Sequence, residues 1–354
     1  MDRFLGLDAH SDSCTLGVVG PSGKRLGSRV VETNGAALVE TVRSYSGHLH
    51  LCLEEGELSA WLHELLEPHV EEVVVTVPRS TNGRSKDDLR DAFSRAEELR
   101  RGAITTRVYK APVHMMALKS AVRAYSMAVR DLSRAKNRLK AVCRSRGVLA
   151  DSGIYDPTRR AKWLEQLPPA QRTLAEWLAK EHDALVPLRD EAERWLLEEA
   201  KAHPIIRKLA TAPGMGPIRT AQMVAIVANP HRFRTRQQFW SYCGLAIVTR
   251  SSSDWKRDRT GQWVRAQVAQ ARGLTRQRHP VLKAIFKGAA TTVITQMSTH
   301  PLHADYQRRL AAGIKPNLAR LTLARQIAAA VLAMWKHQEV YDPERHKPVD
   351  KSAE

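Results

Sequence analysis

Phe4-Leu5-Gly6-Leu7-Asp8, then Cys14 to Val19, then Leu26 to Val31 open the chain as three short strand-like runs. Pro21-Ser22-Gly23-Lys24 is a turn signal between the second and the third. This spacing predicts a β-meander. Working outward, Ala36 to Tyr45 sets Leu38, Val39, Val42 and Tyr45 at helical spacing, and Leu49 to Leu53 is a short apolar strand. Leu58, Trp61, Leu62, Leu65 and Leu66 mark a second helix, Glu72 to Val77 is a β-branched strand closed by Pro78, and Asp88 to Leu99 is helical again. A meander followed by alternating helix and strand predicts an α/β domain on a mixed sheet.

After about residue 105 the strand signals stop. Val113 to Arg146 has helical periodicity with many Lys and Arg, and Gly147 is a stop. Pro157 to Ala202 continues as long charged helices, interrupted at Pro168-Pro169 and bent near Pro187, which predicts a helical connector, possible as a coiled-coil hairpin. Gly/Pro punctuation returns at Ala212-Pro213-Gly214-Met215-Gly216-Pro217 and Asn229-Pro230. A polar loop covers Arg250 to Gly261, a helix Asn317 to His337, and a polar tail Asp342 to Glu354. The fold class expected is α/β followed by a mostly α part, with no internal repeat.

The 354 residues are enough for two domains. Apolar residues make up 43%, which allows a real core. The formal net charge is +19, from 56 basic and 37 acidic side chains. Such a balance points to a polyanionic partner. The charge is uneven. Residues 1–100 hold 11 basic and 17 acidic side chains, net −6, leaving 45 basic and 20 acidic, net +25, beyond them. No signal peptide is expected, and Ile327 to Trp335 falls far short of the ~20 apolar residues that span a bilayer. The four cysteines are scattered without a CxxC pair, which argues against a disulfide framework or cysteine zinc site and fits a reducing cytosol. No HExxH or i,i+4 histidine pair suggests a histidine metal site.

Three acidic positions could work together. Asp8 ends the first strand. Glu54-Glu55 ends a later one, where either residue could equally cap the following helix. Asp88 and Asp91 lie three apart, on one face of a helix, although acids are also common at helix starts. Together they offer the hard oxygen donors of a two-metal phosphoryl-transfer site, with ions ~4 Å apart. In the basic part, Ser251-Ser252-Ser253 lies in a segment carrying Arg250, Lys256, Arg257, Arg259, Arg265, Arg272, Arg276 and Arg278 against Asp254 and Asp258. A hydroxyl there could meet a phosphodiester whose charge is already neutralised. Trp255 and Trp263 could stack on bases or be buried. Gly214 and Gly216 suit either a backbone phosphate cradle, as in a helix-hairpin-helix element, or a tight interhelical turn.

This order of motifs resembles the bacterial DEDD insertion-sequence transposases (insertion-sequence family 110), understood as bridge-RNA-guided recombinases of a serine type. The likeness runs through Asp8, the glutamate after a strand, K-x-D-x-x-D-A at 86–92, P-G-x-G at 213–216, Y-x-G-L at 242–245, the loop serine and Pro280 to Ala290, covering about residues 3–340. It implies a RuvC-like, RNase-H-type N-terminal domain at 1–105, a helical connector at 106–205, a serine-bearing C-terminal domain at 206–340 and a tail at 341–354. It makes the tetrad Asp8, Glu54 or Glu55, Asp88 and Asp91, with Glu54 preferred because it directly follows the apolar strand. Counting from Gly244-Leu245 puts the nucleophile at Ser252, but the family's glycine after the serine is absent, so Ser251 and Ser253 stay open. The resemblance further implies two Mg²⁺ ions, donor and target DNA, a noncoding bridge RNA that delegates sequence choice to base pairing, and a homodimer or homotetramer. Gly214, Gly216, Arg250, Lys256, Arg257, Arg259 and Arg265 are the nucleic-acid-binding candidates. No membrane partner is expected, and the location is cytoplasmic, with the bacterial nucleoid.

Two other readings compete. One is a RuvC-like, metal-dependent junction-resolving nuclease that uses water and needs no serine. The other is a non-catalytic nucleic-acid-binding protein whose acids are mere surface.

Overall fold

The computed structural model describes residues 1–78, 87–251, 255–265, 269–275 and 278–346. They form two compact units that divide between His114 and Met115.

The first unit is a five-stranded mixed sheet in the order β3-β2-β1-β4-β5. Strands β1 (Asp2–Ala9), β2 (Ser13–Val19) and β3 (Arg25–Glu32) make the antiparallel meander. Strand β4 (His48–Glu54) follows helix α1 (Gly35–Arg43), and β5 (Glu72–Thr76) follows α2 (Ser59–Leu66). Both are parallel additions on the other side of β1. Helix α3 (Asp88–Arg100) lies across β1 and β2.

Strand alternation sorts the side chains between two layers. Leu5 and Leu7 of β1, with Leu51 and Leu53 of β4, pack on one face with Leu38 and Val42 of α1 and Leu62 and Leu66 of α2. The in-between positions face α3. Phe4 and Cys52 pack there with Leu99. Gly6 pairs with Gly17 across β1 and β2, and this pair forms a shallow bed for the helix. A Cβ at Gly17 would press on Phe93 at 3.1 Å. Asn34 caps α1 by accepting from Ala36 N at 2.9 Å, and Asp87 caps α3 by accepting from Leu89 N at 3.1 Å.

The second unit begins with a helical hairpin. Helix α4 (Met116–Arg144) runs against α6 (Pro169–Lys201), joined through the short α5 (Ala161–Leu164). Leu139 and Cys143 near the end of α4 pack with Ala175 and Ala179 near the start of α6, so the two are antiparallel. Small residues at that seam let the helices approach closely. Pro187 lies inside α6, which continues through it as one helix.

Helices α7 (Pro204–Leu209), α8 (Gly216–Val227), α9 (Arg236–Tyr242), α10 (Pro280–Gln296), α11 (Pro301–Ala311) and α12 (Pro316–His337) complete the unit. A proline stands in the first turn of α6, α7, α8, α10, α11 and α12, where its missing N–H costs nothing. Phe239 and Phe286 meet edge to face at 5.8 Å, and Leu323, Ile327, Val331 and Trp335 of α12 are buried. Helix α12 has a mean hydropathy of 1.2 over 18 residues, enough by length and composition to cross a membrane. Half of that window is buried, so core packing accounts for its apolarity.

One expectation is corrected. Strands do recur after residue 105: β6 (Ile247–Ser251) pairs antiparallel with β9 (Ala269–Leu274), and β7 (Trp255–Arg257) with β8 (Trp263–Arg265). These strands are three to six residues long and rich in arginine, so they lack the apolar alternation that marks a half-buried strand. Ile247-Val248-Thr249 is a β-branched signal for β6.

Candidate functional site

Parity in the sheet builds the first site. The parallel pairing of β1 with β4 runs through Leu7 with Leu53, so Asp8 and Glu54 are the next residues on adjacent strands. Both belong to the α3-facing set. Helix α3 brings Asp88, Asp91 and Arg95 to the same place, since positions 88, 91 and 95 share one face. Asp8, Glu54, Glu55, Asp88 and Asp91 all line one cleft of about 510 Å³, with His10, Ser59, Ser94 and Arg95.

Two basic side chains bridge the carboxylates. Arg95 places Nη1 3.2 Å from Asp8 Oδ1 and donates from Nη2 to Glu54 Oε2. The Asp8 contact is an ion pair without hydrogen-bond alignment, and Nη1 is buried with no hydrogen-bond partner. His10 Nε2 lies 3.3 Å from Asp8 Oδ2 and 3.4 Å from Asp88 Oδ1. Each oxygen of Asp8 therefore meets a different basic group.

Glu55 is held differently. It stands one residue on, on the opposite parity. Its Oε2 accepts from Ser59 Oγ at 3.0 Å and from Lys110 Nζ, which also donates to Ser59 Oγ at 2.8 Å. Neither glutamate caps α2, whose N-cap residue is Leu58 without a side-chain bond. The helix-cap explanation for the Glu54-Glu55 pair is thus replaced by two separate ion pairs. Asp88 and Asp91 do occupy the first turn of α3, where negative charge is favourable, while Asp87 makes the cap.

Two transposase family models match parts of the chain. A DEDD-type transposase model of the IS110 group matches residues 5–145, and a model described as the transposase IS116/IS110/IS902 family matches residues 206–274. Together they take in more than half of the chain. The chain belongs to the IS110 family of transposases. A protein of Sinorhizobium fredii named "Putative transposase y4qE" is 24% identical over 266 residues, covering 72% of this chain and 65% of that protein. The "Insertion element IS116 uncharacterized 44.8 kDa protein" of Streptomyces clavuligerus is 29% identical over 135 residues, covering 38% of this chain and 30% of that protein. The chain thus spans less than two thirds of the length of these curated relatives. The mixed five-stranded sheet followed by a helical region is consistent with the RuvC-like fold of DEDD transposases.

DEDD transposases typically use a divalent metal, and the cleft of this IS110-family chain fits one. Its donors are carboxylates, the hard oxygens that Mg²⁺ prefers. Ligand atoms of Asp8, His10 and Asp88 lie within 4.8 Å of one another. The lining sets Asp8, Glu54, Glu55, Asp88 and Asp91 against Arg95, so the local charges are only partly matched. Sequence reading missed His10 and Arg95, and it proposed no histidine in a metal cluster. Their signals were local: His10 is two residues beyond Asp8 along an extended chain, and Arg95 is four beyond Asp91 on a helix.

In the second unit, Ser251 ends β6 in register with Ala269. Ser252 and Ser253 lie outside the described residues, as do the side chains of Arg250, Lys256 and Arg265. Trp255 and Trp263 are 56% and 60% exposed, which removes the alternative of burial. The β7–β8 register sets Trp255, Arg257 and Trp263 on one face, with Arg257 5.3 Å above the Trp263 ring. The hairpin turn is organised by Asp258, which accepts from Thr260 Oγ1 at 2.6 Å and Gln262 N at 3.0 Å. The Thr260 hydroxyl, with the backbone amides, holds the Asp258 carboxyl below its usual range.

The root of β6 is braced. Arg325 Nε donates to Leu245 O at 2.7 Å, and Trp240 Nε1 donates to Arg325 O at 3.0 Å. Gly214 has φ +70°, and a Cβ there would lie 2.3 Å from Ala289 O. Close backbone packing against α10 accounts for this glycine. Gly216 has φ +60° and open space around it, at the start of α8.

Proposed function

We propose that the chain is a DNA transposase that cleaves and exchanges strands through a phosphoserine intermediate. The observation that carries this reading is the single cleft lined by Asp8, Glu54, Asp88 and Asp91 in a chain of the IS110 family. Asp8, Glu54, Asp88 and Asp91 would hold Mg²⁺. The ions, when bound, supply Lewis-acid stabilisation of the attacking and leaving oxygens of an in-line displacement. Ser252 Oγ attacks a DNA phosphorus and forms a phosphoserine ester, releasing a 3′ or 5′ hydroxyl as the leaving group. Attack on that ester by the hydroxyl of another strand restores the serine and completes exchange.

Nucleic acid engagement is assigned to the basic second part. The exposed Trp255, Arg257 and Trp263 face supports it, since aromatic and guanidinium planes stack on bases while cations meet phosphate. Arg250, Lys256, Arg259 and Arg265 are neighbours of that face in sequence, and Gly216 at the start of α8 is a separate candidate contact. Family resemblance adds a noncoding bridge RNA as guide, donor and target DNA as substrates, and a homodimer or homotetramer in which the acidic and serine parts cooperate. A cytoplasmic location with the nucleoid follows from such substrates.

The experiment is an adduct assay. The chain is incubated with insertion-sequence-end DNA, the transcript flanking its gene, and Mg²⁺, then denatured. Wild type is expected to give a protein–DNA adduct that Ser252→Ala abolishes and Asp8→Asn reduces at least a hundredfold, about the size of a lost electrostatic catalytic contact. DNA cleavage by Ser252→Ala at the wild-type rate, without any adduct, would favour the water-using nuclease. Binding without any strand transfer would favour the non-catalytic binder.

A further inference from the structure

Arg95 is used in an unusual way for a buried arginine. Elsewhere in the chain, Arg160 turns both guanidinium nitrogens onto one carboxylate, donating to Asp183 Oδ2 at 2.8 Å and Oδ1 at 2.6 Å. That is the fork geometry of a permanent structural pair. Arg95 instead divides its nitrogens between Asp8 on β1 and Glu54 on β4. Its side chain is 12% exposed, and Nη1 has no hydrogen-bond partner. A buried donor left unsatisfied costs on the order of 1–3 kcal/mol. The guanidinium thus spans two strands while bonding one of them poorly.

The two carboxylates it spans belong to the set read as metal ligands. Without a cation between them, adjacent strand-end carboxylates repel and would turn away from each other. Arg95 supplies that cation from within the chain. A divalent ion needs lone pairs on the same Asp8 and Glu54 side chains, so protein cation and metal compete for common atoms.

We propose that Arg95 is a displaceable internal counter-ion. It keeps Asp8 and Glu54 together before metal arrives, and it must leave them for metal to bind. Arg95 is a positioning residue in this scheme, and it raises the metal concentration at which the site fills. This rests on reading the cleft as a metal site. By linkage, whatever Arg95 contributes to holding the metal-free pair is subtracted from the metal's affinity.

The test uses the full chain and Mn²⁺, titrated by calorimetry at fixed ionic strength, with thermal melts in parallel. Arg95→Met is expected to bind Mn²⁺ about tenfold more tightly than wild type, within the usual span of coupling between sites. Its metal-free form should melt lower, and Mn²⁺ should raise its Tm by more than it raises the wild type's. Equal or weaker Mn²⁺ binding by a folded Arg95→Met would overturn the proposal. If that variant does not fold, Arg95→Lys keeps a charge but cannot span both carboxylates, and it should still bind Mn²⁺ several times more tightly, again as coupled sites do. A wild-type crystal structure with Mn²⁺ gives an independent answer. Arg95 turned away from Asp8 and Glu54 supports displacement, and Arg95 still on both overturns it. Failure of wild type to bind Mn²⁺ at all would instead bring down the metal reading beneath it, so the two failures are distinguishable.

Discussion

Gly6 of β1 lies directly under Ala92 of α3: a Cβ added at residue 6 would sit 1.9 Å from the Ala92 carbonyl oxygen and 2.7 Å from Ala96 N. Both obstacles are backbone, so no side-chain rotation can relieve them. This approach sets the height of α3 over the sheet, and with it the distance between Asp8 and the helix carrying Asp88, Asp91 and Arg95. Gly6→Ala should lift the helix and cost about 3 kcal/mol, the upper range for overpacking a tight core. Urea denaturation would show the loss of stability. Mn²⁺ calorimetry should show weakened binding even where the variant remains folded.

Glu54 and Glu55 should separate cleanly. Glu54 shares Arg95 with Asp8 in the α3-facing layer, whereas Glu55 is tied to Ser59 and Lys110. Glu54→Gln is expected to abolish the Mn²⁺-dependent rise in Tm. Glu55→Gln should keep that rise and lose only about 1 kcal/mol of stability, because its ion pair is partly exposed. Loss of the metal response in Glu55→Gln, with retention in Glu54→Gln, would reverse the assignment.

Much of this site is legible in the sequence. Apolar runs of five or six residues fix the strands, and their alternation puts Asp8 and Glu54 on a common face. The spacing of Asp88 and Asp91 fixes a shared helix face. Arg95 is harder to see, because a lone basic residue carries no period and its partners Asp8 and Glu54 are far away in sequence, and His10, although two residues from Asp8, belongs to no histidine motif. The Gly6–Gly17 bed is invisible until strand register is known, since register is a tertiary property. The β6–β9 and β7–β8 strands escape notice for another reason: they are short and each carries an arginine, so they lack the apolar alternation that marks a half-buried strand. The serine segment at 252–254 lies outside the described residues.

Glu97 provides a pH signature for the same helix. Arg100 hydrogen-bonds its carboxylate at 2.6 and 2.7 Å, Arg101 adds a contact at 2.6 Å, and together they pull Glu97 down to about 2. Arg100 also donates to Pro21 O at 3.0 Å, tying the end of α3 to the β2–β3 turn. A carboxyl depressed in the folded state binds fewer protons there than in the unfolded chain. Its contribution is therefore complete above the unfolded value of about 4.3, and it disappears as pH falls toward about 2. Solvent screening keeps the effect below about 1 kcal/mol. Glu97→Gln should lower the urea midpoint near neutrality, with the gap to wild type closing progressively in acid. A gap that is independent of pH would show that packing, not charge, is what the substitution removes.

Gly214 and Gly216 occupy the same P-G-x-G motif and share left-handed backbone, with φ of +70° and +60°. An alanine at either must adopt a conformation costing about 1–2 kcal/mol for an L-residue. Beyond that they differ. At 214 the new Cβ meets Ala289 O at 2.3 Å and Ala289 Cα at 2.9 Å, so α10 must give way, whereas at 216 it meets nothing within 4 Å. Gly214→Ala should therefore cost about 3 kcal/mol or more once overpacking is added, and Gly216→Ala only the conformational part. DNA binding should rank the other way among folded variants. Residue 216 opens α8, where backbone N–H groups are available to phosphate, while residue 214 is committed to packing. Denaturation midpoints and filter binding of the two variants with the same duplex would check both orders. Equal stability losses would mean that α10 does not seat against residue 214. Unchanged DNA binding by Gly216→Ala would remove the start of α8 from the nucleic-acid surface.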